Sequence, residues 1–318
     1  MTTSLLASSA LVLAGMLAAG AAGMLTSSII AHGKRREDLY DLLYSLRWGE
    51  ATTNNYGFAP AETGDPERFQ LQLYAELLKL LDPTAPDDGI ERVLEISCGR
   101  GGGLRHLALR LPGANQVIGL DSSMHAIRFC QTRYAALPNL GFVRGHALQL
   151  PFPDGSFDLV INVEASHAYR DDAAFLREVR RVLRAHGRLL YADHRTRRKV
   201  PRLEQLAHAA GLTGPLRDVT PNVVRACELD SERRRALIRS GLPWWYRPLG
   251  CRRLERYAGI PGTVAFERLR NRDRMYFIAC LTLAQEELAS GLARPPAGPP
   301  DPARPRRMLA CHGEWRRA

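Results

Sequence analysis

Residues 93–103 read Val-Leu-Glu-Ile-Ser-Cys-Gly-Arg-Gly-Gly-Gly, and no other stretch restricts the fold of this chain so strongly. Val93, Leu94 and Ile96 are branched apolar residues that suit a strand buried on both faces. The glycines behind them permit a tight turn and let backbone N–H groups come close to a ligand. Leu104, Leu107, Ala108 and Leu111 then recur at helical spacing. Strand, glycine-rich turn and helix in this order predict an open α/β sheet with its ligand site at the carboxyl ends of the strands. No Lys-Ser/Thr follows the turn, so it is not a nucleoside-triphosphate loop. Nor is it a well-spaced dinucleotide fingerprint, because Ser97 stands where the first glycine belongs. Glu95, at the strand end, would repel a pyrophosphate and attract a cation.

The segments that follow keep the same rhythm. A second strand, Gln116–Leu120, ends at Asp121, a position that suits a ribose diol; Asp121-Ser122-Ser123 also reads as a helix N-cap. A third strand from Leu140 leads to Gly145, His146 and Ala147, then Leu150-Pro151-Phe152. The fourth, Ser156–Val163, runs into Asn162-Val163-Glu164-Ala165-Ser166-His167-Ala168-Tyr169. A helix over 173–183 and a fifth strand, Arg188–Ala192, follow, the strand ending at Asp193. A buried run from Arg274 to Leu283 reads as the last strand. Upstream, Phe69, Leu73, Leu77 and Leu80 predict an amphipathic helix over 66–81, and Leu39, Leu42, Leu43 and Leu46 a short one over 38–46. Between them lies a polar, aromatic loop ending in Asn55-Tyr56-Gly57-Phe58. Residues 197–260 are rich in arginine, broken by proline, and carry Trp244-Trp245-Tyr246.

Val93 to Gly101 resembles motif I of class I S-adenosylmethionine (SAM)-dependent methyltransferases. The Ser-Cys-Gly variant, with the segment Asn162–Tyr169, is most similar to the phthiotriol dimycocerosate methyltransferases and fatty-acid O-methyltransferases. The resemblance covers roughly residues 45–285. It implies a Rossmann-like class I methyltransferase sheet with helices on both faces and a helical substrate lid. It also implies SAM as cofactor, an ammonium- and sulfonium-bearing ligand that suits Glu95. The cofactor set carried over is Glu95, Ser97, Gly99 and Gly101 in motif I, Asp121 and Ser122 after the second strand, His146 and Ala147 after the third, and Asn162 in the fourth. Where the family has an Asp that binds the adenine amino group, this chain has His146. A neutral His can accept from that group but offers no permanent negative charge. Arg100 is expected to face solvent.

Methyl transfer from a sulfonium is an in-line displacement. The protein must align the nucleophile, exclude water and, for a hydroxyl, take up its proton. The resemblance assigns that base to His167, oriented by Asp193; without it, His167 would read as a packing or capping residue, and Asp193 as a partner of Arg195. Tyr56, Glu164 and Trp244 are the candidate substrate contacts. Tyr56 would equally serve a plain hydrophobic lid, and Glu164 a second acid or a loop carboxylate.

Composition narrows the setting. A net charge of +11 admits nucleic acid or an anionic membrane, but there is no zinc-finger spacing and no RNA-recognition aromatic signature, so nucleic acid is not expected. Six cysteines lack paired metal-ligand spacing and read as reduced thiols; no metal site is expected. From Thr2 to Ala31 no residue is charged, and Lys34, Arg35 and Arg36 follow at once. About 20 such residues span a bilayer, and the basic flank would keep the catalytic domain in the cytosol. The expected organisation is a membrane anchor (1–33), an N-terminal helical and lid segment (34–90), a cofactor-binding core (91–196), a substrate-covering insertion with the last strands (197–285), and a disordered Pro/Arg-rich tail (286–318). The expected enzyme methylates a hydroxyl or carboxyl of a lipophilic small molecule at a single-pass membrane location. Alternatives are N- or C-methylation of an amine or sterol-like substrate, and a non-catalytic SAM-fold membrane adaptor. Oligomeric state is not readable from the sequence.

Overall fold

The computed structural model describes residues 40, 43–45, 48–81, 89–242, 244 and 247–284. The expected anchor, most of the 38–46 helix and the tail lie outside them. Among the described residues, no helix is long and apolar enough to cross a membrane.

One eight-stranded sheet organises the chain. Its strands are β1 (Arg92–Ile96), β2 (Gln116–Asp121), β3 (Leu140–Arg144), β4 (Phe157–Val163), β5 (Leu183–Thr196), β6 (Leu212–Thr213), β7 (Arg217–Asp218) and β8 (Arg274–Leu283). Their order is β3-β2-β1-β4-β5-β8-β6, with β7 also on β8. β1 to β5 are parallel, and β8 runs antiparallel between β5 and the two short strands. The order reverses at β1 and β4, which is where an open α/β sheet forms a crevice for ligands.

Both faces are covered, so the central strands read as continuous apolar runs. Side chains alternate across a strand: Val93, Val117, Ile161 and Leu190 enter one core, and Leu94, Ile118, Val160 and Leu189 the other. On the first face lie α1 (Arg68–Leu78), α2 (Gly102–Ala108) and α3 (Met124–Arg133). On the second lie α4 (Asp172–Val182) and α5 (Val200–Ala209). α4 shows how sequence sets local structure. Phe175, Leu176, Val179 and Val182 bury one stripe, and the Asp171 side chain caps the helix by accepting from the Ala174 N–H.

The insertion is helical, with α6 (Thr220–Leu229), α7 (Ser231–Gly241), α8 (Arg247–Glu255) and α9 (Val264–Arg270). Two expectations change. β5 does not stop at Ala192; it continues through Thr196 because β8 pairs with it from Arg188↔Thr282 to Thr196↔Arg274. The polar run Asp193-His194-Arg195 therefore lies inside a paired strand. Arg100 does not face solvent: its Nε and Nη2 donate to the Ala51 and Gly49 carbonyls, and its guanidinium lies 3.6 Å from the Phe129 ring centroid.

Candidate active site

A cavity of about 670 Å³ opens at the carboxyl ends of β1, β2, β4 and β5. At its cofactor end it is lined by Ser97, Gly99, Asp121, Ser122, His146 and Ala147. Gly99 has φ 54°, and a Cβ there would lie 2.6 Å from the Tyr44 hydroxyl oxygen, so only glycine leaves the passage open. Asp121 accepts from the Gly99 N–H through Oδ2 (2.9 Å) and from the Ser123 N–H through Oδ1 (2.9 Å). The N-cap of α3 is Ser123, whose Oγ accepts from the Ala126 N–H. Asp121 thus ties the glycine turn to the end of β2.

Three of the expected cofactor residues lie behind the wall. Gly101 is the N-cap residue of α2. Glu95 is buried; its Oε1 accepts from the Tyr74 hydroxyl at 2.7 Å, its Oε2 has no partner among the described residues, and burial pushes its carboxyl up to about 8. Asn162 is fully buried. Its Nδ2 donates to the Ile96 carbonyl and the Tyr169 hydroxyl, both at 3.0 Å, while its Oδ1 has no partner among the described residues. The Tyr169 hydroxyl lies 2.7 Å from Ser97 Oγ, so Asn162 acts one step from the cavity by fixing Tyr169 and Ser97. Orphaned Glu95 Oε2, the glycine passage and the carboxylate at the end of β2 together fit a nucleoside bearing a cationic amino acid.

His146 departs from the expected role. Its Nδ1 accepts from the Leu148 N–H at 3.2 Å. A backbone N–H can only donate, so a neutral His146 carries its proton on Nε2. That tautomer would offer an adenine a donor, suited to a ring nitrogen and not to the exocyclic amino group.

The reacting end is built on β4 and β5. Asp193 is fully buried, and His167, on the turn after β4, places Nδ1 2.8 Å from Asp193 Oδ1. The same carboxylate accepts from the His167 N–H (2.9 Å), Ser166 Oγ (2.5 Å) and the His194 N–H (2.7 Å), and pairs with Arg195 Nη1 at 3.1 Å. Burial alone would raise the Asp193 carboxyl, but the charges of His167 and Arg195 with these hydrogen bonds hold it well below the usual carboxylate range. With Nδ1 engaged by an ionised carboxylate, Nε2 is the atom of His167 that can take a proton from an acceptor in the cavity. Pairing with Arg195, one reading of Asp193, coexists with the His167 contact.

Glu164 lines the cavity on the turn after β4 and is anchored there. Its Oε1 accepts from the Tyr56 N–H at 2.5 Å and from the Tyr276 hydroxyl at 2.7 Å, joining the lid segment to β8. Burial raises its carboxyl to about 7 against these two hydrogen bonds. Ser97 and Glu164 both hold φ near 50–60° (61° and 47°), a backbone that costs about 1–3 kcal/mol in a residue with a Cβ. Both sit where a strand hands over to the cavity. Tyr56 lines the cavity and stacks on His194, ring centroids 5.6 Å apart. Trp244 does not belong to the site. It is 72% exposed and outside the cavity wall. Leu237, Ile238, Leu254 and Tyr257 line the cover instead.

His194 is the residue sequence reasoning missed. Its ring stacks on His167 at 4.2 Å, and its Nδ1 lies 3.5 Å from Arg274 Nη1. Burial first, and the neighbouring His167 charge second, lower it to about 3, so it is a neutral ring that seats His167. A cluster of polar residues in an otherwise apolar strand was the available signal. His167, Asp193 and His194 come close enough to share a cation, their ligand atoms within 4.8 Å of one another. The donor set does not suit one: His167 Nδ1 is committed to Asp193, and Arg195 and Arg274 already bring positive charge to Asp193 and His194.

The sheet order, the glycine turn and the crevice at β1 and β4 define a class I methyltransferase fold. A family model described as a methyltransferase domain matches residues 94–191. The chain is 39% identical over 224 residues to a probable phthiotriol/phenolphthiotriol dimycocerosates methyltransferase of Mycobacterium ulcerans, covering 70% of this chain and 83% of that one. It is 34% identical over 244 residues to a fatty-acid O-methyltransferase of Mycolicibacterium smegmatis, covering 76% and 84%. Among solved structures, a [4+2]-cyclase, SpnF, superposes with a TM-score of 0.60 at 16% identity, covering 78% of this chain and 94% of that one, a likeness of fold alone. The chain belongs to the SAM-dependent methyltransferases, in the family that includes these mycobacterial enzymes; it is an enzyme, and its cofactor is S-adenosylmethionine.

Proposed function

We propose that the enzyme methylates an oxygen, a hydroxyl or a carboxyl, of a lipophilic small molecule, and that residues 1–33 hold it at a membrane. The observation that carries O-methylation is the His167–Asp193 contact at 2.8 Å, a base with its tautomer set by a buried carboxylate, beside an open cavity. Bound SAM supplies an activated methyl group. The chain's own residues do the rest. Asp121, Ser97 and the Gly99 turn hold the nucleoside and amino-acid ends. His167 accepts the acceptor's proton at Nε2, and Asp193 stabilises the imidazolium that results. Tyr56, pinned by Glu164, and the α7–α8 cover exclude water. The names of the relatives, with their phthiotriol and fatty-acid substrates, support a lipid-like acceptor. Family membership places catalysis ahead of an adaptor role.

Incubation with methyl-labelled SAM and a total lipid extract tests this reading. Label in the organic phase, released by alkali as an ester or by hydriodic acid as an ether, is the expected result. Label that resists both treatments means carbon methylation and sinks the proposal; label that becomes a volatile amine only on basification after hydrolysis points to nitrogen and sinks it too. The His167→Ala variant should lose about 10²–10⁴-fold in kcat with SAM affinity unchanged, if a hydroxyl is the acceptor.

A further inference from the structure

Positive charge in the cavity wall is matched almost wherever it is buried. Arg195 is held by Asp193 and Asp172, and Arg233 and Arg234 by Asp230. Arg100 of the same wall is met by the Ala51 and Gly49 carbonyls and the Phe129 ring, and Lys199, Arg256 and Arg274 have no carboxylate at salt-bridge distance among the described residues. Among the described residues Arg274 gives Nη1 to His194, and its Nε is buried with no partner. The acids that line the cavity, Asp121 and Glu164, are engaged with Gly99 and Ser123, and with Tyr56 and Tyr276.

Two of these cations share one end of the β5–β8 pair, and the third lies on the cover of the same cavity. Arg274 opens β8 opposite Thr196, the last residue of β5, and Lys199 closes the short 3₁₀ turn that follows. Arg256 approaches from the cover, where Arg234 joins the neighbouring Ala258 carbonyl (2.6 Å) to that of Tyr56 (2.7 Å), and Tyr56 stacks on His194. Arg274 stands apart from the turn expected to meet the amino-acid end of SAM. The glycine turn follows β1, and β8 lies three strands away in the sheet order, about 14 Å at strand spacing.

Two demands then meet in one cavity. A carboxylate acceptor is already ionised and has no use for the His167–Asp193 base. A neutral acceptor would draw nothing from the exposed Lys199 and Arg256, and would leave Arg274 Nε buried without a partner among the described residues. We propose that the acceptor is an amphiphile with two polar groups: a hydroxyl that receives the methyl at His167, and an anionic group, carboxylate or phosphate, that stays unmethylated and binds at Lys199, Arg256 and Arg274. This refinement rests on the O-methylation reading and selects the hydroxyl within it.

Calorimetric binding of dodecanoate, dodecyl phosphate and dodecanol to the full chain, loaded with S-adenosylhomocysteine, tests it without turnover. At least one anion should bind at least about tenfold more tightly than the alcohol, with the advantage shrinking as salt rises. The stronger of the two anions identifies the group. The Lys199→Gln/Arg256→Gln double variant changes only exposed side chains and should lose most of that advantage while binding dodecanol as before. Adding Arg274→Gln should abolish it. Equal binding of alcohol and both anions, or an anion advantage that survives the double variant, overturns the proposal. Neither result touches the ester-or-ether outcome for labelled product, so this site and the O-methylation reading fail separately.

Discussion

Glu95 and Glu164 are acids whose surroundings oppose their ionisation, yet their partners differ. Glu164 spends Oε1 on two donors, whereas Glu95 has one donor at Oε1 and an orphaned Oε2. Burial lifts Glu95 from its ordinary value of 4.5 to about 8. Between those values the folded chain keeps a proton that the unfolded chain gives up. Stability therefore falls as pH rises through this window, the reverse of a salt-bridged carboxylate. Glu95→Gln keeps the acceptor for Tyr74 and removes the titration. Its melting temperature should match the wild type near pH 4 and exceed it near pH 8. A SAM ammonium beside Oε2 would favour the ionised acid, so wild-type affinity should tighten from pH 6.5 to 8, while the variant stays weak and flat. Thermal melts and calorimetry across that range check both, and a variant that tightens with pH like the wild type would remove Glu95 from cofactor binding. Glu95 and Asp121 were legible in sequence because each stands at the end of a strand, where an α/β sheet gathers its ligands, whereas His167 was singled out only by the family resemblance. Arg274 and Tyr276 were not legible. They reach the site only through the β5–β8 register, and a single apolar run carries no information about register.

At the level of elements, the cover depends on one buried ionic knot. Arg234 and Asp230 of α7 and its N-cap are 6% and 3% exposed, and Arg234 Nε bonds Asp230 Oδ2 at 3.0 Å. The same guanidinium donates to the Tyr56 and Ala258 carbonyls, and Gln70 of α1 donates to Asp230 at 2.8 Å. Lid segment, first helix and cover thus share a single acid. Asp230→Asn leaves a buried guanidinium without its countercharge, which costs about 3–5 kcal/mol, or about 6–20 °C in melting temperature for a domain of this size. Substrate KM should rise more than kcat falls, since the dyad lies on β4 and β5. Melting curves and steady-state kinetics measure both, and a variant as stable as the wild type would show that the knot does not hold the cover. Strands and helices of the core could be read from apolar periodicity because both sheet faces are buried. The cover could not be placed in this way. Its arginines are partly internal, so polarity no longer marks the surface, and Trp244, apolar by composition, points outward.

For the whole molecule, the question is how a lipid-like acceptor reaches a cavity whose wall carries unmatched cations. A net charge of +11 draws the chain toward anionic surfaces, but such attraction is screened by salt, with a Debye length of about 3 Å at 1 M. An apolar segment free of charge from Thr2 to Ala31 is indifferent to salt. The two contributions can be separated by their response. The full chain should sediment with vesicles in 1 M salt and resist extraction at alkaline pH. A chain beginning at residue 34 should bind vesicles containing anionic lipid only at low salt, and should keep its rate on an acceptor dispersed below its micellar concentration. On an acceptor embedded in vesicles, the shortened chain should lose rate in high salt while the full chain does not, because only the full chain then shares a surface with its substrate. If the shortened chain sediments in 1 M salt as the full chain does, the first 33 residues are not the anchor and the attachment lies in the folded part. If neither chain sediments, the acceptor must come to the enzyme through water, and the cations at Lys199, Arg256 and Arg274 would be the feature that selects it there.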